Sequence, residues 1–162
     1  MKFLPISINI TDKKILIIGG GRIANHKIGF LQQFSKNITI VGLEVIDAIK
    51  EQGLIYIEKP YEKSDLEGAF LVYACTNIIE LNKQVKEDAE SLGILCNVVD
   101  NPPLCDFVSP AIYKKGIYTV AVGSSARNVY KAIEIRNKIK EFLENDKHIF
   151  CTPAEKLSGK GK

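Results

Sequence analysis

Ile15-Leu16-Ile17-Ile18-Gly19-Gly20-Gly21-Arg22-Ile23-Ala24 is the stretch that decides the fold. Four β-prone apolar residues run straight into G-x-G-x-x-A, and a helical pattern follows at once. That order is the phosphate-binding turn of a dinucleotide fold. Gly19 permits the tight turn out of the strand. Gly21 has no Cβ, so the backbone can approach a pyrophosphate, and Ala24 lets the helix pack close to the strand. Gly20, Arg22 and Ile23 complete the turn, where free N–H groups and a partial positive charge suit phosphates. The competing reading is an ordinary glycine-rich turn. The strand before it and the helix after it, near the N-terminus, favour a nucleotide.

Working outward, Ile23, Lys27, Phe30, Leu31 and Phe34 recur at helical spacing and predict a helix over Arg22–Phe34. Ile38–Val41 reads as the second strand. Glu44 follows, at the place where an acidic residue receives the ribose 2′-OH of NAD, and no Arg stands beside it to welcome the 2′-phosphate of NADP. Its other reading is a carboxylate ahead of a helix over Val45–Glu51. Leu54–Ile57 is a short third strand, Ser64–Gly68 a turn or short helix, and Ala69–Ala74 a fourth strand. Asn77 and Glu80 have capping-box spacing, and Leu81, Val85, Ala89 and Leu92 form the buried stripe of a helix ended by Gly93. Ile94–Val99 is the fifth strand and stops at Asp100. Alternating strands and helices, with continuously apolar strands, predict an α/β, Rossmann-like, doubly wound parallel sheet. Ligands of such sheets gather beyond the carboxyl ends of the strands, so Gly19, Thr76 and Asp100 should share one edge.

After Asp100 the pattern changes. Asn101-Pro102-Pro103 breaks the repeat, and Phe107–Tyr113, Lys114-Lys115-Gly116 and Ile117–Val122 read as a hairpin. Ala132, Ile135, Ile139 and Phe142 mark an amphipathic helix from about Asn128 to Asn145. The expected organisation is an NAD-binding domain over 1–112, a dimerisation region over 113–150 and a disordered tail over 151–162. A hairpin plus one helix is too small to bury its own apolar face, so it should pack on the sheet domain or on a second copy of itself; the expectation is a homodimer, because one small sheet domain cannot cover that face wholly.

Composition sets the outer limits. The 162 residues are 46% hydrophobic, enough for a core, and a net charge of +3 is too small to argue for nucleic acid. No apolar run approaches the roughly 20 residues of a membrane span, and the start lacks the pattern of a signal peptide. Cys75, Cys96, Cys105 and Cys151 contain no C-x-x-C pair. They read as free thiols in a reducing cytoplasm. His26 and His148 have no neighbours at metal-ligand spacing and read as surface or packing residues, so no metal site is expected.

Several segments, in order, resemble the precorrin-2 dehydrogenase and siroheme synthase N-terminal family. They are Gly19-Gly20-Gly21-Arg22-Ile23-Ala24 with Lys27, Ala74-Cys75-Thr76 with Glu80-Leu81-Asn82, Asn97-Val98-Val99-Asp100, and Asp106-Phe107-Val108-Ser109-Pro110-Ala111. The resemblance spans roughly Phe3 to Phe142. It implies a Rossmann domain that binds NAD, a dimerisation region, and NAD-dependent oxidation of precorrin-2 to sirohydrochlorin. Some relatives also insert Fe²⁺ into the product, and a third possibility is a non-catalytic NAD-binding relative. Asp100 falls on the family's catalytic aspartate, and Ser124 on a serine of the dimerisation loop. Relatives carry S-T/S-G-G-x-S-P in that loop, whereas this chain reads Gly123-Ser124-Ser125-Ala126-Arg127-Asn128-Val129.

The residues suit that chemistry. Oxidising a reduced tetrapyrrole needs a hydride acceptor and a base, and a carboxylate at a strand end can be the base. The other reading of Asp100 is a turn aspartate that caps Asn101-Pro102. From Tyr113 to Lys140 there are seven basic residues and one acidic one, Glu134. That excess would attract a polycarboxylate, with Arg127 at the loop as the favoured contact, beside Ser124 and Lys131. For any single lysine, a solvated helix face is the simpler account.

Overall fold

A computed structural model describes residues 1–146 and Ile149. The chain divides into two compact units, Met1–Val108 and a second that begins at Ser109. The first holds five strands, β1 (Lys14–Gly20), β2 (Ile38–Val45), β3 (Ile55–Glu58), β4 (Ala69–Ala74) and β5 (Leu95–Val98). All pair in parallel, in the order β3-β2-β1-β4-β5. The order reverses between β1 and β4, which opens a crevice at their carboxyl ends.

The continuous apolar run of β1 is explained by burial on both faces. Ile15 and Ile17 pack with Ala24, Ile28 and Leu31 of α1 (Arg22–Leu31) and with Ile49 of α2 (Asp47–Lys50). Leu16 and Ile18 pack on the opposite side with Val85 and Ala89 of α3 (Ile79–Ser91). Helices therefore cover both faces, and the sheet is doubly wound.

The outer edge of β5 is closed by the chain that follows it. Cys96 N–H donates to Asp106 Oδ2 at 2.9 Å, and Val98 N–H donates to Cys105 Sγ at 3.2 Å. Lys86 Nζ holds Asp106 from α3 at 2.7 Å. Blocked edge amides cannot template a further strand.

The second unit is an antiparallel hairpin, β6 (Ala111–Lys115) and β7 (Tyr118–Val122), with α4 (Val129–Asn145) packed on it. Arg136 reaches from α4 to the Ile112 carbonyl at 2.6 Å. Asn128 caps α4, its Oδ1 accepting the Lys131 N–H at 2.8 Å.

Several expected boundaries move, each for a local reason. The first helix ends at Leu31 rather than Phe34, because residues 33 and 34 tighten into i→i+3 turns on Phe30 and Leu31. Its buried stripe is Ala24-Ile28-Leu31, and Ile23 is exposed. β2 runs to Val45 instead of stopping at Val41, so no helix covers Val45–Glu51; α2 starts at Asp47. The third strand lies one residue later than expected, and the fifth is trimmed to Leu95–Val98. The Asn77–Glu80 capping box does not form, since Ile78 is the N-cap and no side chain caps it. Leu92 is exposed, and Asn82 takes a buried place on α3. The hairpin strands begin at Ala111 and Tyr118, leaving Gly116-Ile117 as the turn. Phe142 and Ile135 are exposed on α4. His26 is exposed; His148, Cys151 and the expected tail lie outside the described residues.

Candidate functional site

The crevice at the sheet's switch point is a cleft of about 620 Å³. Gly19, Gly20, Gly21, Arg22, Ile23, Glu44 and Thr76 all line it. Ala24 does not; it is fully buried beneath α1, where its small side chain allows close packing. Apolar walls come from Ile23, Leu43, Ile78 and Leu81. The exposed Ile23 thus belongs to the cleft, which is why its place in the helical pattern misled.

Each glycine of the turn answers to a different neighbour. Gly19 has φ +115, and a Cβ there would lie 2.7 Å from the Cys75 carbonyl oxygen. A Cβ on Gly20 would collide with the Glu44 carbonyl. A Cβ on Gly21 would meet nothing within 4 Å and would project into open space. The first two serve the fold, and the third leaves room in front of the α1 N-terminus. No side chain caps that terminus and no acidic residue occupies its first turn. Backbone donors and a positive dipole end, with space before them, fit the pyrophosphate of a dinucleotide.

Glu44 reaches the cleft through a bulge. β2 pairs with β1 at Ile18↔Val41 and again at Gly20↔Val45, so Gly42-Leu43-Glu44 loops out between the two points. The helix-terminus reading of Glu44 is thereby excluded, and Asp47 fills that role on α2. Thr76 is presented after β4, with its polar atoms engaged by the protein. Its N–H and hydroxyl both donate to Asn82 Oδ1, at 3.2 and 2.8 Å, and its hydroxyl accepts the Ile78 N–H at 3.2 Å. Asn82 Nδ2 donates back to the Thr76 carbonyl at 2.9 Å. Asn82 was not singled out for this work, although its presence in the Glu80-Leu81-Asn82 segment was the available signal.

Asp100 stands past the end of β5, exposed, with φ +59. It does not line the cleft. It neighbours Lys27, which projects from α1 over the Tyr73 ring at 5.7 Å. Burial pulls the Lys27 ammonium below its ordinary pKa, and the nearby Cys75, Cys105 and Asp100 pull the other way. In the second unit, Ser124, Arg127 and Lys131 share the loop and first turn of α4. Ser124 Oγ accepts the Asn128 N–H at 3.2 Å, and Lys131 pairs with Glu134 at 2.8 Å. Arg127 is exposed and, among the described residues, makes no ion pair. Ser125 and Ala126 both have positive φ, +50 and +60.

Residues 6–111 match the family described as putative NAD(P)-binding. Two siroheme synthases are similar over most of this chain. That of Vesicomyosocius okutanii is 35% identical, covering 88% of this chain and 32% of that protein. That of Methylococcus capsulatus is 36% identical, covering 86% and 30%. A solved structure titled "SirC, precorrin-2 dehydrogenase" superposes with a TM-score of 0.71 at 26% identity, covering 88% of this chain and 70% of that one. The chain belongs to the precorrin-2 dehydrogenase and siroheme synthase N-terminal family. It spans about a third of the length of the siroheme synthases it matches.

Membership clarifies two observations. The first unit is the family's NAD(P)-binding domain, and its cleft has the cradle such a cofactor needs. In the loop after β7, Ser125 and Ala126 occupy the positions where the family pattern has paired glycines. Their backbones keep the left-handed conformation that glycine adopts without cost. The Arg127 N–H closes that turn on the Ser124 carbonyl at 3.0 Å.

Proposed function

We propose that this protein catalyses NAD-dependent dehydrogenation of precorrin-2 to sirohydrochlorin in siroheme biosynthesis. The observation that carries the reading is the cleft itself: a glycine turn, an uncapped helix N-terminus and Glu44 converge at the switch point of a sheet similar to that of a precorrin-2 dehydrogenase. Gly19, Gly20, Gly21, Arg22 and Ile23 hold the pyrophosphate through backbone N–H groups, over a helix packed close at Ala24. Glu44 receives the adenosine ribose and disfavours a 2′-phosphate, so NAD is preferred over NADP. Thr76, fixed by Asn82, shapes the wall opposite. When bound, NAD supplies the hydride acceptor.

Asp100 acts as the base. Removing a hydride from one carbon of the substrate leaves a proton to be lost from its neighbour, and the exposed Asp100 carboxylate takes that proton. Lys27, on α1, is the neighbouring cation. Ser124, Arg127 and Lys131 contact the substrate's carboxylates, Arg127 as the exposed cation best placed for a bidentate grip.

The second unit supports a homodimer. Ile117 is 89% exposed, Tyr130 88% and Phe142 67%, an unusual amount of apolar surface for so small a unit. Free thiols at Cys75, Cys96 and Cys105 suit a reducing compartment and support a cytoplasmic location. Among the described residues no helix is long and apolar enough to cross a membrane.

The decisive test is incubation of the purified protein with precorrin-2 and NAD, following NADH absorbance. Stoichiometric NADH and sirohydrochlorin are expected. NAD binding without NADH formation would overturn the dehydrogenase in favour of a non-catalytic relative. Adding Fe²⁺ or Co²⁺ with sirohydrochlorin asks separately whether it is a chelatase.

A further inference from the structure

The bulge that carries Glu44 is fastened at three points, and one fastener is a side chain. Lys59 N–H donates to the Gly42 carbonyl at 2.9 Å, and Ile46 N–H donates to the Gly20 carbonyl at 3.0 Å. Between these backbone ties lies the Val45 N–H, the amide that directly follows Glu44. It donates to Glu58 Oε1 at 3.0 Å. The same oxygen takes Lys50 Nζ from α2 at 2.9 Å. Glu58 thus joins the end of β3, the last residue of α2 and the peptide after Glu44.

We propose that Glu58 is a positioning residue for nucleotide choice, holding Glu44 where it can tell NAD from NADP. The inference rests on the reading of Glu44 as the ribose-binding carboxylate. Glu44 is exposed and lies in a stretch that leaves the regular ladder. Its discrimination depends on being held at one distance from the ribose, since a mobile carboxylate loses both the hydrogen bond and much of the repulsion. The Glu44 carbonyl also closes on Gly20, so the same peptide sets how deep the turn lies beneath it. Lys50 and the Val45 N–H hold the Glu58 carboxyl below its ordinary pKa, in keeping with the contacts they make to its Oε1. Glu58 lies on the strand, away from the cleft wall, and is not among the lining residues. Its effect on the nucleotide is therefore indirect.

The test is direct titration of NAD and NADP, by calorimetry, against wild type, Glu58→Ala, Glu58→Gln, Lys50→Met and Glu44→Ala. Glu44→Ala should collapse the preference for NAD; if it does not, the Glu44 reading fails and this inference with it. Given that collapse, Glu58→Ala should weaken NAD roughly fivefold to tenfold and leave NADP within about twofold. Glu58→Gln keeps an acceptor for Val45 N–H and should restore most of the ratio; Lys50→Met should fall between. Equal loss of both nucleotides in Glu58→Ala would overturn the proposal, since Glu58 would then support only the turn. An unchanged ratio would overturn it as well. Should Glu58→Ala fail to fold, the order wild type, Glu58→Gln, Lys50→Met in the NAD to NADP ratio decides alone, and a flat series refutes it.

Discussion

Asn82 grips Thr76 at both ends of its backbone: its side-chain oxygen accepts the Thr76 N–H and hydroxyl, and its amide donates to the Thr76 carbonyl. The asparagine itself is buried, 7% exposed, beneath the cleft wall that Thr76 forms. Asn82→Ala should strip three partners from a half-buried turn and cost about 1–2 kcal/mol, since the Thr76 groups left unpaired border the cleft. Asn82→Asp should do nearly as much harm, because it keeps the acceptor and loses the donor. Urea denaturation measures the first effect, and an NAD titration should show weakened binding in both variants.

The three glycines of the turn should separate by experiment. Gly21→Val is expected to abolish nucleotide binding with the fold intact, because its side chain enters open space in front of α1. Gly20→Ala should instead damage folding, since its Cβ meets the Glu44 carbonyl. Circular dichroism melts beside NAD titrations distinguish the two. A Gly21→Val protein that binds NAD normally would place the pyrophosphate elsewhere.

Asp100→Asn keeps the side-chain shape and removes the basicity. Dehydrogenation should fall by roughly 10²–10⁴, the usual contribution of a positioned base, with NAD affinity changed less than a few-fold. Steady-state rates with precorrin-2 and separate NAD titrations check both halves. Lost NAD binding with normal turnover per bound cofactor would reduce Asp100 to a turn residue, a role its φ of +59 also allows.

Ser125 and Ala126 hold positive φ without being glycine. Ala126→Gly should raise stability by up to about 1 kcal/mol, less the entropy that glycine adds to the unfolded chain. Ser125→Gly should act in the same direction. Thermal melts of the single and double variants test this. A lowered melting temperature would show that the side chains contribute more than the backbone costs.

Burial pushes the Cys75 and Cys96 thiols up to about 12. Their folded pKa lies above the unfolded one, so the native state holds protons that the unfolded state releases. The stability involved is present in full below the ordinary thiol value of 9.0 and is lost as pH climbs from there toward 12. Denaturation midpoints should decline over that alkaline window. Both thiols should resist alkylation at pH 8 in the native protein and react once it is unfolded.

How far the sequence could be read depended on how local the causes were. β4 was legible at both ends, because Ala69–Ala74 lies in an apolar run that starts after Gly68 and closes with Cys75 before Thr76. The glycine turn was legible because strand, turn and helix are contiguous. The tail of β2 was not. Val45 belongs to the sheet only through Gly20 on one side and Glu58 on the other, and the Glu58 contact spans thirteen positions. Asn82 escaped for a different reason: a search for apolar periodicity passes over a buried amide. Ile23 misled in the opposite sense, since an apolar residue that lines a cleft and one that lines a core look the same in a pattern.

The bulge in β2 also reverses which way the strand's side chains face. Ile38 and Ile40 join the α1 side of the core and Val41 the α3 side, yet Val45 returns to the α1 side, where strict alternation from Val41 would not place it. The length of Gly42-Leu43-Glu44 sets that reversal. Removing or adding one residue would turn Val45 into the wrong layer and drag its tie to Gly20 out of step. A surface segment of this kind is usually free to vary in length, but here it is not. Substitution at 43 and 44 leaves the layers of the sheet in place, whereas insertion or deletion there disturbs the sheet itself.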